Sequence, residues 1–121
     1  MLFESDGVVV ASGTLDAHRS AADFAEMLPL ELAFDDYAST EKIAVLPRAL
    51  MIEDAPTAYT PVAGDICFYA PWGNLAVFYE DGEHSVGLVR LGRLESGMDV
   101  FKRTGMQRLM LLREGPAAGP D

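Results

Sequence analysis

Between Gly64 and Gly97 the chain runs strand, tight turn, strand, strand, helix, an order that few small folds accommodate. The runs Gly-Asp-Ile-Cys-Phe-Tyr-Ala and Asn-Leu-Ala-Val-Phe-Tyr-Glu-Asp flank Pro71-Trp72-Gly73, and Ser-Val-Gly-Leu-Val-Arg-Leu-Gly-Arg-Leu leads into a short helix near Ser96-Gly97-Met98. Side chains alternate between the two faces of a strand, so Ile66, Phe68 and Ala70 share one face and Cys67 and Tyr69 the other. After the turn, Leu75, Val77 and Tyr79 oppose Ala76 and Phe78. Both faces are apolar, which predicts a hairpin that is covered on both sides or whose far side lines a pocket.

The first half supplies the remaining strands. Asp6-Gly7 between β-forming residues is a hairpin signal, because a tight primed turn demands positive φ. Ser20 reads as a helix cap with Asp23 on the positive end of the dipole; Phe24, Met27 and Leu28 follow at core spacing, and Pro29 stops the helix. Residues 30–34 alternate as a short strand, and residues 35–40 form a polar connection. Residues 43–52, interrupted by Pro47 and Arg48, fit an edge strand or a strand with a bulge better than a central one. Residues 53–63, with Pro56 and Pro61, read as a surface loop in which Tyr59 is a packing anchor or a pocket wall.

In the second half Gly87 and Gly92 mark bends within one strand, residues 86–94, where a sheet curls toward closure. Ser96 reads as the second helix cap, Gly105 as that helix's stop, and residues 106–113 as a final strand. The count is about eight strands and two short helices. That predicts a mainly β fold, a closed barrel of about eight strands with two short capping helices over residues 1–114, followed by a flexible tail at 115–121.

Composition narrows the function. With 19 acidic and 9 basic residues the net charge is −10, which repels phosphate backbones and anionic lipid, so neither nucleic acid nor membrane is expected as a partner. The excess lies in residues 1–60, with 11 acids against 3 bases, where residues 61–121 carry 8 against 6. No apolar run approaches the ~20 residues of a membrane span and no secretory leader pattern is present, so a cytoplasmic address is expected. One cysteine, Cys67, and two histidines, His18 and His84, give no metal-ligand spacing, and no cofactor is implied.

Several words along the chain resemble the cyclophilins. Gly92 to Met98 is similar to the segment in which a cyclophilin strand ends and its helix opens with Glu-Gly-Met. Asp81-Gly82-Glu83-His84 resembles that family's Asp-Gly-Lys-His turn, and Val45-Leu46-Pro47 its active-site strand. Leu28-Pro29-Leu30, Glu41-Lys42-Ile43, Leu46-Pro47-Arg48, Gly64-Asp65, Tyr69 to Asn74 and Gly87-Leu88-Val89 are together similar to the small bacterial and archaeal cyclophilin-like proteins of unassigned function.

The resemblance implies a cyclophilin-like barrel and raises the question of prolyl isomerase activity. Cyclophilins use an arginine three residues before the active-site proline, a phenylalanine two after it and a glutamine five after it. Aligned on Pro47, those positions hold Ala44, Ala49 and Ile52. Tyr79 stands where the family has a tryptophan, His84 matches its histidine, and Arg48 is the neighbouring guanidinium that could substitute. Trp72, the only tryptophan, reads as the lid or wall of a peptide or small-molecule groove with Tyr69 and Phe78; a barrel plug or a homodimer contact is the alternative. The expectation is a binding module without efficient isomerase activity, with a weak peptidyl-prolyl isomerase as the second reading and Arg48, Tyr69, Trp72, Phe78, Tyr79 and His84 as candidate pocket residues.

Overall fold

Asp6 and Gly7 both take positive φ, 51° and 80°, and so turn β1 (Leu2–Ser5) back onto β2 (Val8–Leu15). The chain continues, in the computed structural model that describes residues 1–114, through α1 (Arg19–Ala25), β3 (Leu30–Tyr37), β4 (Glu41–Val45), β5 (Ala58–Tyr59), β6 (Asp65–Tyr69) and β7 (Asn74–Phe78). It ends with β8 (Ser85–Val86), β9 (Leu88–Ser96), α2 (Met98–Lys102) and β10 (Gln107–Leu112). Eight strands close into an antiparallel barrel in the order β1-β10-β3-β4-β7-β6-β9-β2, and β5 pairs with β8 as a separate two-stranded ribbon. The expected closed barrel is therefore the observed fold; the expected tail, residues 115–121, lies outside the described residues.

The barrel interior is the main core. Ile66 and Phe68 of β6 meet Leu75 and Val77 of β7 there, with Leu91, Leu109 and Leu111, all at 0–2% exposure. Burying each such side chain contributes about 1.5–3 kcal/mol. Both helices face this core. Phe24 of α1 is fully buried in it, and Phe101 of α2 packs edge-on against Phe3 and Phe34, with ring centroids 5.2 and 6.0 Å apart.

The opposite face of β6 and β7 is also covered, as the two-sided apolar pattern requires. Cys67, Ala76, Phe78 and Leu88 form a second, outer cluster joined by Ile43, Tyr59 and Tyr69, and Tyr59 comes from the ribbon. Gly87 makes this outer layer possible. At φ 88° it breaks the single strand expected over residues 86–94 into β8 and β9, and its backbone joins Thr57 to Ala70 (Gly87 N to Thr57 O 2.8 Å, Ala70 N to Gly87 O 2.9 Å).

Other boundaries differ from the sequence expectation for identifiable reasons. Ser20 does not cap α1: His18 does, its Nδ1 accepting from Ala21 N at 3.2 Å, and the buried Ser20 hydroxyl donates to the Met51 carbonyl at 2.6 Å. β3 runs on to Tyr37 because Ala38 and Ser39 supply the left-handed turn, φ 57° and 56°, without a glycine to announce it. The strand expected over residues 43–52 is no edge: β4 lies between β3 and β7 and stops at Val45, before Pro47. Ser96 ends β9 and shares a hydrogen bond with the Ser12 hydroxyl at 2.8 Å, and Gly97 (φ 87°) caps α2 instead.

A buried ion closes one seam of the barrel. Lys42 alternates inward between Glu41 and Ile43, has no exposed side-chain surface, and donates to Asp36 Oδ1 at 2.8 Å and to the Gly105 carbonyl at 2.6 Å. The Asp36 carboxylate also accepts from Gly105 N (2.7 Å) and the Tyr79 hydroxyl (3.0 Å). Lys42 first, then the Gly105 amide, holds the Asp36 carboxyl below its ordinary range.

Candidate functional site

Outward-facing residues of β4 and β7 pair across the strands as Glu41 with Phe78, Ile43 with Ala76, and Val45 with Asn74. Of these, Glu41, Ile43, Asn74 and Phe78 form the floor of a groove of about 530 Å³. Its wall is the β6–β7 turn. Tyr69 O accepts from Trp72 N and Gly73 N at 3.3 and 2.9 Å, and Gly73 takes φ 67°, so the turn stands Trp72 out from the barrel with 53% of its surface exposed. The indole lies edge-on to Tyr37 (5.2 Å) from the end of β3 and to Tyr69 (5.3 Å), giving a row of three aromatic rings along the groove.

The groove's polar groups include three carboxylates, Glu41, Asp81 and Glu83. Glu41 takes one hydrogen bond from the Thr40 hydroxyl (3.1 Å), and burial nevertheless raises its carboxyl above the usual range. Asn74 is 2% exposed; its Nδ2 donates weakly to the Leu75 carbonyl at 3.4 Å, and among the described residues its Oδ1 has no partner. Asp81 and Glu83 belong to the rim, where Asp81 accepts from Ala63 N at 2.9 Å.

A second hollow, of about 270 Å³, borders Leu88 as the groove does, and Ala55, Pro56, Tyr59, Val89 and Arg90 line it. Its chemistry centres on Arg90 of β9. Arg90 Nε lies 3.2 Å from Asp16 Oδ2 and Nη2 donates to Asp16 Oδ1 at 3.3 Å, while Asp65 Oδ1 is 3.9 Å from Nε. Asp65 is fully buried, and its Oδ2 accepts from the Tyr59 hydroxyl (2.6 Å) and Val62 N (2.9 Å). Burial, and next the Asp65 carboxylate, push the Tyr59 phenol up. His18 Nδ1 already accepts from Ala21 N, so its Nε2 carries the proton and donates to the Arg90 carbonyl at 2.9 Å.

The six candidate residues do not converge. Tyr69, Trp72 and Phe78 share the groove. Arg48 is elsewhere, held by Asp23 through Nη1–Oδ2 (3.0 Å) and Nη2–Oδ1 (2.9 Å), an arrangement that raises its pKa and lowers that of Asp23. Tyr79 packs on the barrel core and donates to Asp36; burial, and next that hydrogen bond, push its phenol up to about 12. His84 is exposed and bonded to Thr60 through Nδ1 at 2.7 Å, between the rim residues Glu83 and Ser85. Ala44, aligned with the cyclophilin arginine, is buried in the barrel core at 3% exposure.

Sequence reasoning missed Tyr37, Glu41 and Asn74 in the groove and the Asp16–His18–Asp65–Arg90 cluster beside it. One signal was available: Arg90 interrupts an apolar strand at the same parity as Leu88, which predicts a charge on the covered outer face. Among the described residues no group of three or more His, Cys, Asp or Glu side chains is placed to hold a metal ion, and no helix is long and apolar enough to cross a membrane.

A closed antiparallel eight-stranded barrel with helices packed on its core and grooves on its outer face defines a cyclophilin-type architecture. The family model described as the Cyclophilin-like family matches residues 5–109, and the chain belongs to that family, as its sequence words led us to expect. No curated protein and no solved structure matches it.

Proposed function

We propose that this protein is a binding module that takes a peptide or small molecule into the Trp72 groove and lacks efficient prolyl isomerase activity. The observation that carries the reading is Trp72 itself: a tryptophan left 53% exposed, yet fixed edge-on between Tyr37 and Tyr69 over an open groove. Rigid aromatic side chains of this kind supply contact area at low entropic cost and anchor most binding sites.

Against isomerase activity stands the chemistry of the groove. Rotation about the X-Pro bond faces ~18–20 kcal/mol, and a charged donor to the twisted amide is worth about 1.5–3 kcal/mol of it. Among the described residues none lends the groove a guanidinium. Arg90 favours the weak isomerase as a second reading, because it lies beside an apolar hollow, but Asp16 and Asp65 already compensate its charge.

Trp72 is the sole tryptophan, so its emission reports on the groove directly. Titration with a panel of apolar, basic, acidic and proline-containing pentapeptides should give a saturable change for at least one class, and protease-coupled prolyl isomerisation should stay at the uncatalysed rate. Isomerase activity that disappears in Arg90→Ala, with Trp72 indifferent to every peptide, would establish the second reading instead.

A further inference from the structure

The groove that Trp72 walls is acidic as well as aromatic. Glu41 on the floor and Asp81 and Glu83 on the rim line it, and among the described residues no lysine, arginine or histidine does. Four aromatic side chains, Tyr37, Tyr69, Trp72 and Phe78, also line it. Carboxylates beside aromatic rings are the two groups that attract a desolvated organic cation, through charge and through the ring quadrupole.

A separate observation asks for a hydrogen-bond donor. Asn74 donates weakly from Nδ2 to the Leu75 carbonyl at 3.4 Å, and the atom left without a partner among the described residues is Oδ1, an acceptor. Buried acceptors without partners are uncommon, and Asn74 lines the groove, so a donor from an occupant that reaches past its cover would complete this one. We infer that the occupant of this groove is a cation, the guanidinium or ammonium group of a basic peptide; the inference rests on reading the groove as a ligand site.

The charge balance agrees. Among the described residues Glu41 has the Thr40 hydroxyl as its one hydrogen-bond donor and no cationic neighbour in the groove, so an incoming N–H group of positive charge relieves the penalty of its burial. The chain's net charge of −10 adds long-range attraction for basic segments. The groove, at about 530 Å³, has more room than a lone small amine fills, which leaves space for the residues flanking a cationic side chain.

Four probes test this by Trp72 emission: acetyl-Ala-Ala-Arg-Ala-Ala-amide, the same peptide with citrulline, the same with glutamate, and n-butylguanidine. Citrulline keeps the shape and most N–H groups of arginine and loses the charge. The arginine peptide should bind at least about tenfold tighter than the citrulline peptide, the fold-change one cation–π contact or partly screened ion pair carries. The glutamate peptide should bind weakest. The arginine preference should shrink as ionic strength rises and in Glu83→Gln, an exposed rim variant that leaves the barrel intact. Citrulline matching arginine would overturn the cation while leaving the groove a ligand site. Butylguanidine matching the arginine peptide would overturn the peptide assignment, and silence from Trp72 toward all of these probes and the wider peptide panel would overturn both readings together.

Discussion

Alanine at Gly87 perturbs the joint between the outer ribbon and the barrel. The backbone there sits at φ 88°, and a Cβ would lie 2.7 Å from Pro71 Cδ and 2.9 Å from Pro71 Cγ. Two costs add. The left-handed conformation disfavours an L-residue by about 1–2 kcal/mol, and wedging a methyl group into occupied space costs about 1–3 kcal/mol more. Gly64 is the internal control, because its φ of 97° carries the first cost and its Cβ would meet nothing within 4 Å. Urea unfolding followed by circular dichroism should therefore place Gly87→Ala below Gly64→Ala in stability by about 1–3 kcal/mol. Pro71 adjoins Trp72, so folded Gly87→Ala should also show a shifted Trp72 emission that Gly64→Ala does not. Equal stability losses with unchanged emission would show that Pro71 gives way freely and that the ribbon does not brace the Trp72 turn.

Phe101→Ala should cost about 3–5 kcal/mol in the same unfolding assay, since the ring is fully buried against Phe3 and Phe34. Lys42→Met should lower the unfolding midpoint by more than Arg48→Ala, because Lys42 is enclosed and its loss strands the Gly105 carbonyl, whereas Arg48 forms an exposed pair with Asp23. Burial pushes the Cys67 thiol far up, so a thiol reagent at pH 8 should label it only at the rate of unfolding. Tyr79 has a folded pKa of about 12 against an ordinary value of 10, so the stability it contributes is present below pH 10 and lost as pH rises toward 12. Tyr79→Phe should flatten that alkaline decline in denaturation midpoints measured across the range.

The barrel was legible because alternation is a physical requirement of a strand. Ile66 and Phe68 against Cys67 and Tyr69 declared two covered faces, and the structure fills one with the core and the other with the outer cluster. Caps were less legible, since His18 performs with Nδ1 what Ser20 was expected to do with its hydroxyl. The Ala38-Ser39 turn left no trace, because neither residue type signals positive φ. Of the groove, Tyr69, Trp72 and Phe78 could be read from one hairpin, but Tyr37 and Glu41 arrive from another hairpin through barrel register. The Arg90 cluster gathers positions 16, 18, 59, 65 and 90, and no local spacing announces contacts of that range.

Two hollows border Leu88, and a ligand must choose between them. A ¹H–¹⁵N correlation titration with the peptide that most changes Trp72 emission should shift the Trp72 indole, the Asn74 side-chain amide and the backbone amides of Gly82 and Ser85, and leave Tyr59 and Arg90 in place. Shifts gathered on Arg90, Tyr59 and His18 with Trp72 unmoved would contradict the account.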